Sequence, residues 1–178
     1  LPTPVGPMKM NDPIGRLVGV DYSDSTADLI YEYDAEGKLI SMVDGAGTHD
    51  YTWDLAERLT DVNEPAGGFE YQYDSRNHVS KRTYTPDNIV VDYTYDSNGR
   101  LATVASGGQT TSYGYNPDSA LLTATLPSGN GYVETRTYDN TGRLTEVKNT
   151  KAATTLSKYT LTLDKVGNPT KIANTGTT

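Results

Sequence analysis

The stretch YDSNGRL, residues 95–101, decides how this chain is read, because near-copies of it recur along most of the sequence. YDAEGKL stands at 33–39, WDLAERL at 53–59, YDSRNHV at 73–79, YNPDSAL at 115–121 and YDNTGRL at 138–144. Degenerate copies, NDPIGRL at 11–17 and LDKVGNP at 163–169, flank these. The first residue of each copy, the anchor, therefore returns every 20 to 25 residues. That period is too short for a pair of packed helices, whose repeats run about 33 to 45 residues. Two strands of about 6 to 8 residues and two turns fill it.

Each slot of the motif has a mechanical reason. The anchors Tyr33, Trp53, Tyr73, Tyr95 and Tyr115 each follow a second aromatic by two places, namely Tyr31, Tyr51, Tyr71, Tyr93 and Tyr113. A spacing of two puts both rings on one face of a strand. The acid that follows (Asp34, Asp54, Asp74, Asp96 and, after the anchor Tyr138, Asp139) can accept backbone N–H bonds from the next residues, as in an Asx-turn. Gly37, Gly99 and Gly142 then supply the positive φ that completes a type I turn with a G1 bulge. The same slot holds Asn77, Glu57 and Ser119. Asn tolerates the left-handed region, whereas Glu and Ser cost roughly 1 kcal/mol there, so the loops at 54–58 and 116–120 are expected to be irregular. Breaker turns lie between the motifs: DGAG at 44–47, EPAGG at 64–68, TPDN at 85–88, SGGQ at 106–109 and SGNG at 128–131. The segment 54–59 has good helix propensity, but its register within the repeat assigns it to a turn and strand.

The expected fold is thus all-β: about 15 strands of antiparallel hairpin repeats in one sheet, which accumulated twist would curl or spiral into a partial shell. An apolar residue also recurs three places beyond the Leu, at Val20, Met42, Val62, Val104, Val147 and Ile172. Three is the wrong spacing for one face of a regular strand. Either a bulge intervenes or both faces are partly covered.

Composition narrows the function. Fifteen basic against 23 acidic side chains give a net charge of −8, which argues against nucleic acid, whose affinity rests on Lys and Arg neutralising phosphates. No apolar run approaches the roughly 20 residues needed to span a bilayer, so no membrane insertion is expected. There is no cysteine, which removes disulfides and thiolate metal sites. Fourteen Tyr against one Phe and one Trp favour rings that pack while their hydroxyls stay wet or find a partner. LPTPVGPMKM at residues 1–10 reads as a Pro-rich linker, 11–172 as an array of about eight repeats, and 173–178 as a polar fringe. Degenerate copies at both ends suggest a piece of a longer array.

Eight YDxxGRL-like copies in phase, with a Tyr two places ahead of most anchors, resemble the YD repeats of the rearrangement-hotspot (RHS) family over about residues 11–172. The resemblance implies a β-sheet ribbon that spirals into a hollow shell. Bacterial members enclose a toxic C-terminal polypeptide, and related shells occur in insecticidal toxin complexes and in teneurins, which act in cell adhesion. It implies a secreted or cell-surface protein, most simply bacterial, with flanking YD repeats of a larger chain, or other copies edge to edge, as partners. An enclosed polypeptide is a further implied partner. The PxxPxxxxDPxGL signature that precedes the cargo in many members is absent, so no cargo or self-cleavage site is assigned. Eight repeats are also too few to close a large cavity.

No catalytic constellation emerges, and the chain is read as a non-enzyme without a cofactor or metal. The motif Asp residues could form a carboxylate array for Ca²⁺, but they lack the D-x-[DN]-x-[DN]-G loop with a distal Glu, and turn geometry explains them. Nothing fixes two carboxylates at a separation suited to glycoside hydrolysis. His49 and His78 belong to no metal or triad pattern. Tyr31, Tyr51, Tyr71, Tyr93 and Tyr113 carry the one binding alternative: rows of rings on which a surface glycan or a protein could be held. Packing between neighbouring strands explains the same phase.

Overall fold

A computed structural model describes residues 7–127 and 131–176. Residues 1–6 of the expected linker, most of the SGNG turn, and the last two residues of the expected fringe lie outside that range. The chain divides into two compact units, Leu1–Tyr73 with Lys81–Val90, and Asp74–Ser80 with Val91–Thr178.

The first unit holds β1 (Met8–Asn11), β2 (Leu17–Asp21), β3 (Leu29–Tyr33), β4 (Leu39–Asp44), β5 (Gly47–Trp53), β6 (Leu59–Glu64) and β7 (Gly67–Tyr73). β8 (Val79–Tyr84) and β9 (Ile89–Tyr95) divide between the units. The second continues with β10 (Leu101–Ser106), β11 (Gln109–Tyr115), β12 (Leu121–Thr125), β13 (Tyr132–Tyr138), β14 (Leu144–Lys151), β15 (Thr154–Leu163) and β16 (Pro169–Thr175). Sheet order follows chain order from β1 to β16, and no described residue is helical. The fold is all-β, built of antiparallel hairpins, with one strand more than expected. β1 takes Met8–Met10 out of the expected linker, and β16 extends through Thr175 into the expected fringe.

Residues 54–58 and 116–120 are not irregular, contrary to expectation. Glu57 and Ser119 adopt φ of 61° and 68°, beside 67° for Asn77 and 78° for Gly99. Glu57 N–H reaches the Asp54 carbonyl at 3.0 Å, and Ser119 N–H reaches that of Asn116 at 3.0 Å, as Gly99 N–H reaches that of Asp96. The closing bonds Asp54 N–H to Arg58 O (2.9 Å) and Asn116 N–H to Ala120 O (3.0 Å) are also kept. The hydrogen bonds of the turn together outweigh a left-handed penalty of about 1–2 kcal/mol.

The three-residue apolar spacing resolves into a bulge. Tyr33 pairs with Leu39 and Glu32 with Ser41, which leaves Ile40 without an opposite number. The same shift isolates Thr60 between Leu59 and Asp61, Ala102 between Leu101 and Thr103, and Leu122 between Leu121 and Thr123. One extra residue restores phase. Tyr31 therefore stands opposite Met42, Tyr51 opposite Val62, Tyr93 opposite Val104 and Tyr113 opposite Ala124. Directly opposed residues share a face, so anchor, preceding Tyr, Leu and the later apolar residue all lie on one side. In β5 that side is half-buried and the other exposed, strictly alternating. Among described residues only Val20 and Val62 are buried hydrophobics, and neither is fully enclosed. Cohesion rests on ladder hydrogen bonds and a half-covered aromatic face rather than on a compact core.

Candidate functional site

The motif residues converge on the seam between one repeat and the next. Asp96 shows the arrangement within a turn. Its Oδ1 accepts the N–H of Asn98 (2.9 Å) and of Arg100 (3.0 Å), while Oδ2 accepts Arg100 Nε at 2.7 Å. Asp12, Asp54 and Asp139 bind Arg16, Arg58 and Arg143 alike, each with Nε 2.7 Å from Oδ2. Donors aimed at a carboxylate favour its charged form. The backbone N–H of Arg100 holds Asp96 below the usual carboxylate range, and the Arg58 side chain does so for Asp54. Asp139 is displaced furthest, chiefly by the Thr141 hydroxyl.

From the next repeat, the anchor ring reaches back. The hydroxyl of Tyr33 donates to the Leu17 carbonyl (2.9 Å), that of Tyr73 to Leu59 (2.7 Å) and that of Tyr95 to Val79 (3.0 Å). Tyr115 donates to Leu101 (2.9 Å) and Tyr138 to Leu121 (2.9 Å). In the third motif the Trp53 indole N–H does the same to Leu39 at 2.9 Å. Every acceptor is the residue just before the bulge position, or its equivalent. The ring's outer face then meets the arginine of the preceding repeat: Arg16 lies 4.9 Å from the Tyr33 centroid, Arg58 4.5 Å from Tyr73, and Arg100 4.7 Å from Tyr115. His78 takes the arginine slot of its repeat, bonded to Asp74 at 3.1 Å and stacked 4.4 Å from Tyr95. Arg76 supplies the remaining contact there, donating to the Asp96 carbonyl at 3.0 Å.

The arginine slot was visible in sequence only as a residue on the exit strand. Its reach to the next ring, 15 to 17 positions later, could have been found from the paired recurrence of Arg16 with Tyr33, Arg58 with Tyr73 and Arg100 with Tyr115. The preceding aromatics Tyr31, Tyr51, Tyr71, Tyr93 and Tyr113 are half-buried, and burial pushes the Tyr51 phenol up. His49 sits at the breaker end instead, 3.1 Å from Asp44 and 3.9 Å from Glu64.

One open groove of about 480 Å³ lies between the second and third motif turns, lined among others by Glu36, Lys38, Ile40, Trp53, Leu55 and Glu57. Apart from Trp53, sequence reasoning did not single these out as a site.

Residues 64–164 match the Teneurin YD-shell family and residues 33–68 the RHS Repeat family. Teneurin-3 of Danio rerio is 30% identical over 122 residues, which are 66% of this chain and 4% of that protein. In fold the chain is similar to the crystal structure of TcdB2-TccC3-TEV, with a TM-score of 0.68 and 14% identity over 97% of this chain and 12% of that one. It is likewise similar to the Photorhabdus luminescens Tc holotoxin pore, with a TM-score of 0.70 and 18% identity over 89% of this chain and 10% of that one. A match over more than half its length, on a sheet whose repeats carry the anchor, turn acid and left-handed slot in phase, places this chain in the RHS/YD-repeat family of β-shell proteins, among the teneurin YD-shells.

Proposed function

We propose that this chain is a non-catalytic length of wall that, within a larger secreted or cell-surface protein, encloses or presents another polypeptide. The observation that carries the reading is the seam. Every aromatic anchor spends its ring N–H or O–H on the preceding repeat, and every turn carboxylate described above is committed to its own turn. Such a unit adds to itself in one dimension, each repeat contacting its neighbours alone. The small share of Teneurin-3 and of the toxin-complex chains that this chain spans accords with a wall made of many such units. The half-buried Tyr31, Tyr51, Tyr71, Tyr93 and Tyr113 are assigned to packing between strands.

The test is the native polypeptide that contains these residues, detected with an antibody to this chain and imaged after purification. The expected product is several times the mass of 178 residues and forms a hollow particle holding a polypeptide that proteases reach only after unfolding. A native product of this chain's own mass, or a particle whose interior is empty in every preparation, overturns the reading.

A further inference from the structure

The groove beside Trp53 is a seam site whose cation is misplaced. Three slots define each seam: a turn acid, an exit-strand cation and the next anchor ring. In three other seams of this chain the cation is arginine and lies over the ring, at 4.5 to 4.9 Å. Here the slots are Asp34, Lys38 and Trp53, and all three line the groove. Lys38 is drawn back to Asp34, with Nζ 3.3 Å from Oδ2. Among the described residues no cation stands over the indole. Trp is the best aromatic acceptor for a cation, so the strongest such ring in the chain stands without one among the described residues.

Two further observations specify the occupant. Glu36 and Glu57 line the same groove, are exposed, and pair with no cation among the described residues. Asp34 and Asp54, by contrast, are neutralised by Lys38 and Arg58. The groove therefore carries uncompensated negative charge around an aromatic face. Beside it Leu55 is fully exposed, at 107%, and Ile40 is exposed at 37%. Apolar side chains at a charged rim suit a peptide better than a free ion.

We propose that the groove binds an arginine side chain of a partner polypeptide, the guanidinium over the Trp53 indole and facing Glu36 and Glu57, with a neighbouring aliphatic residue against Leu55. The partner supplies in trans what Arg16, Arg58 and Arg100 supply in cis. This goes beyond the wall reading and does not depend on whether the wall encloses anything.

Trp53 is the chain's one tryptophan, so its fluorescence reports the groove directly. The 178-residue chain is titrated at low salt with a blocked Gly-Arg-Leu-Gly peptide, with its Lys and citrulline counterparts, and with a neutral oligosaccharide. Saturable change is expected with the Arg peptide, about two- to fivefold weaker binding with Lys, and none with citrulline, which keeps the shape and loses the charge. Lys38→Arg restores the residue used in the other seams, so it folds, fills the site from within and abolishes binding. Glu57→Gly removes a rim carboxylate while relieving a left-handed residue, and is expected to weaken binding as the fold becomes more stable. A linear response to the Arg peptide, an equal response to citrulline, undiminished binding by Lys38→Arg, or saturation by the oligosaccharide in its place each overturns the proposal.

Discussion

At the scale of single residues, the left-handed slot and the anchor hydroxyl make opposite demands on chemistry. Gly99 sits at φ 78°, and a Cβ there would meet His78 Cε1 at 3.3 Å. Gly99→Val adds a β-branched side chain to that conformation, and a loss of well over 1 kcal/mol is expected in a urea melt. Glu57 occupies the same slot at φ 61°. Glu57→Gly removes a left-handed penalty of about 1–2 kcal/mol but adds about 0.5–1 kcal/mol of unfolded-chain entropy, so a net gain of roughly 0.5–1 kcal/mol is expected. Opposite signs for the two substitutions are the check; a loss in both would remove the slot from the account. The anchor hydroxyl is tested by a pair of its own. Tyr95 donates to the Val79 carbonyl, whereas the Tyr93 hydroxyl has no partner among the described residues. Tyr95→Phe is expected to cost about 1 kcal/mol and Tyr93→Phe close to nothing. Equal costs would show that the rings act through area alone.

At the scale of elements, the hairpin between β14 and β15 carries a local conflict. Its two-residue turn, Ala152-Ala153, has φ of 45° and 69°, the signature of a type I′ turn built from residues that disfavour it. Replacing the pair by Asn-Gly keeps the backbone and supplies the preferred residues, so the chain should gain on the order of 1 kcal/mol, read as a higher urea midpoint at unchanged m-value. A lowered midpoint would mean that the strands, not the turn, select this geometry. This turn is not legible in the sequence, because Ala-Ala carries no breaker signal. The same limit explains what else was missed. Strands and motif turns were legible because Tyr, Asp, Gly and Leu recur in fixed slots with a physical reason for each. The bulge was not, since Ile40, Thr60, Ala102 and Leu122 share no residue type; only the three-place spacing hinted at it. Loops 54–58 and 116–120 were misjudged because one strained φ was weighed without the hydrogen bonds that oppose it. The groove stayed hidden because Glu36 and Glu57 come from different repeats, and nothing in either repeat alone brings them to one side of Trp53.

At the scale of the molecule, the turn carboxylates make stability a function of pH with a defined sign. The native pKa lies below the ordinary carboxylate value at Asp12, Asp54, Asp74, Asp96, Asp139 and Asp164. In the unfolded chain these groups revert to about 3.9. Between the native and unfolded values the unfolded state binds more protons, so stability falls as pH falls. The contribution is complete above about pH 5 and is lost progressively below about pH 4 as the native carboxylates are forced to protonate. The urea midpoint should show that acid limb. General charge repulsion in acid would also lower the midpoint, since 15 Lys and Arg would then face few ionised carboxylates. Asp139→Asn separates the two. Asn keeps an oxygen acceptor, and Asn116 already works this way, its Oδ1 taking the Ala120 N–H at 2.8 Å. The variant should therefore fold, lie below the parent at neutral pH, and draw progressively closer to it below about pH 4, where the unfolded chain takes up at Asp139 a proton that Asn cannot bind. Curves that stay parallel from pH 7 to pH 2 would assign the acid limb to net charge and leave the turn carboxylates without a part in it.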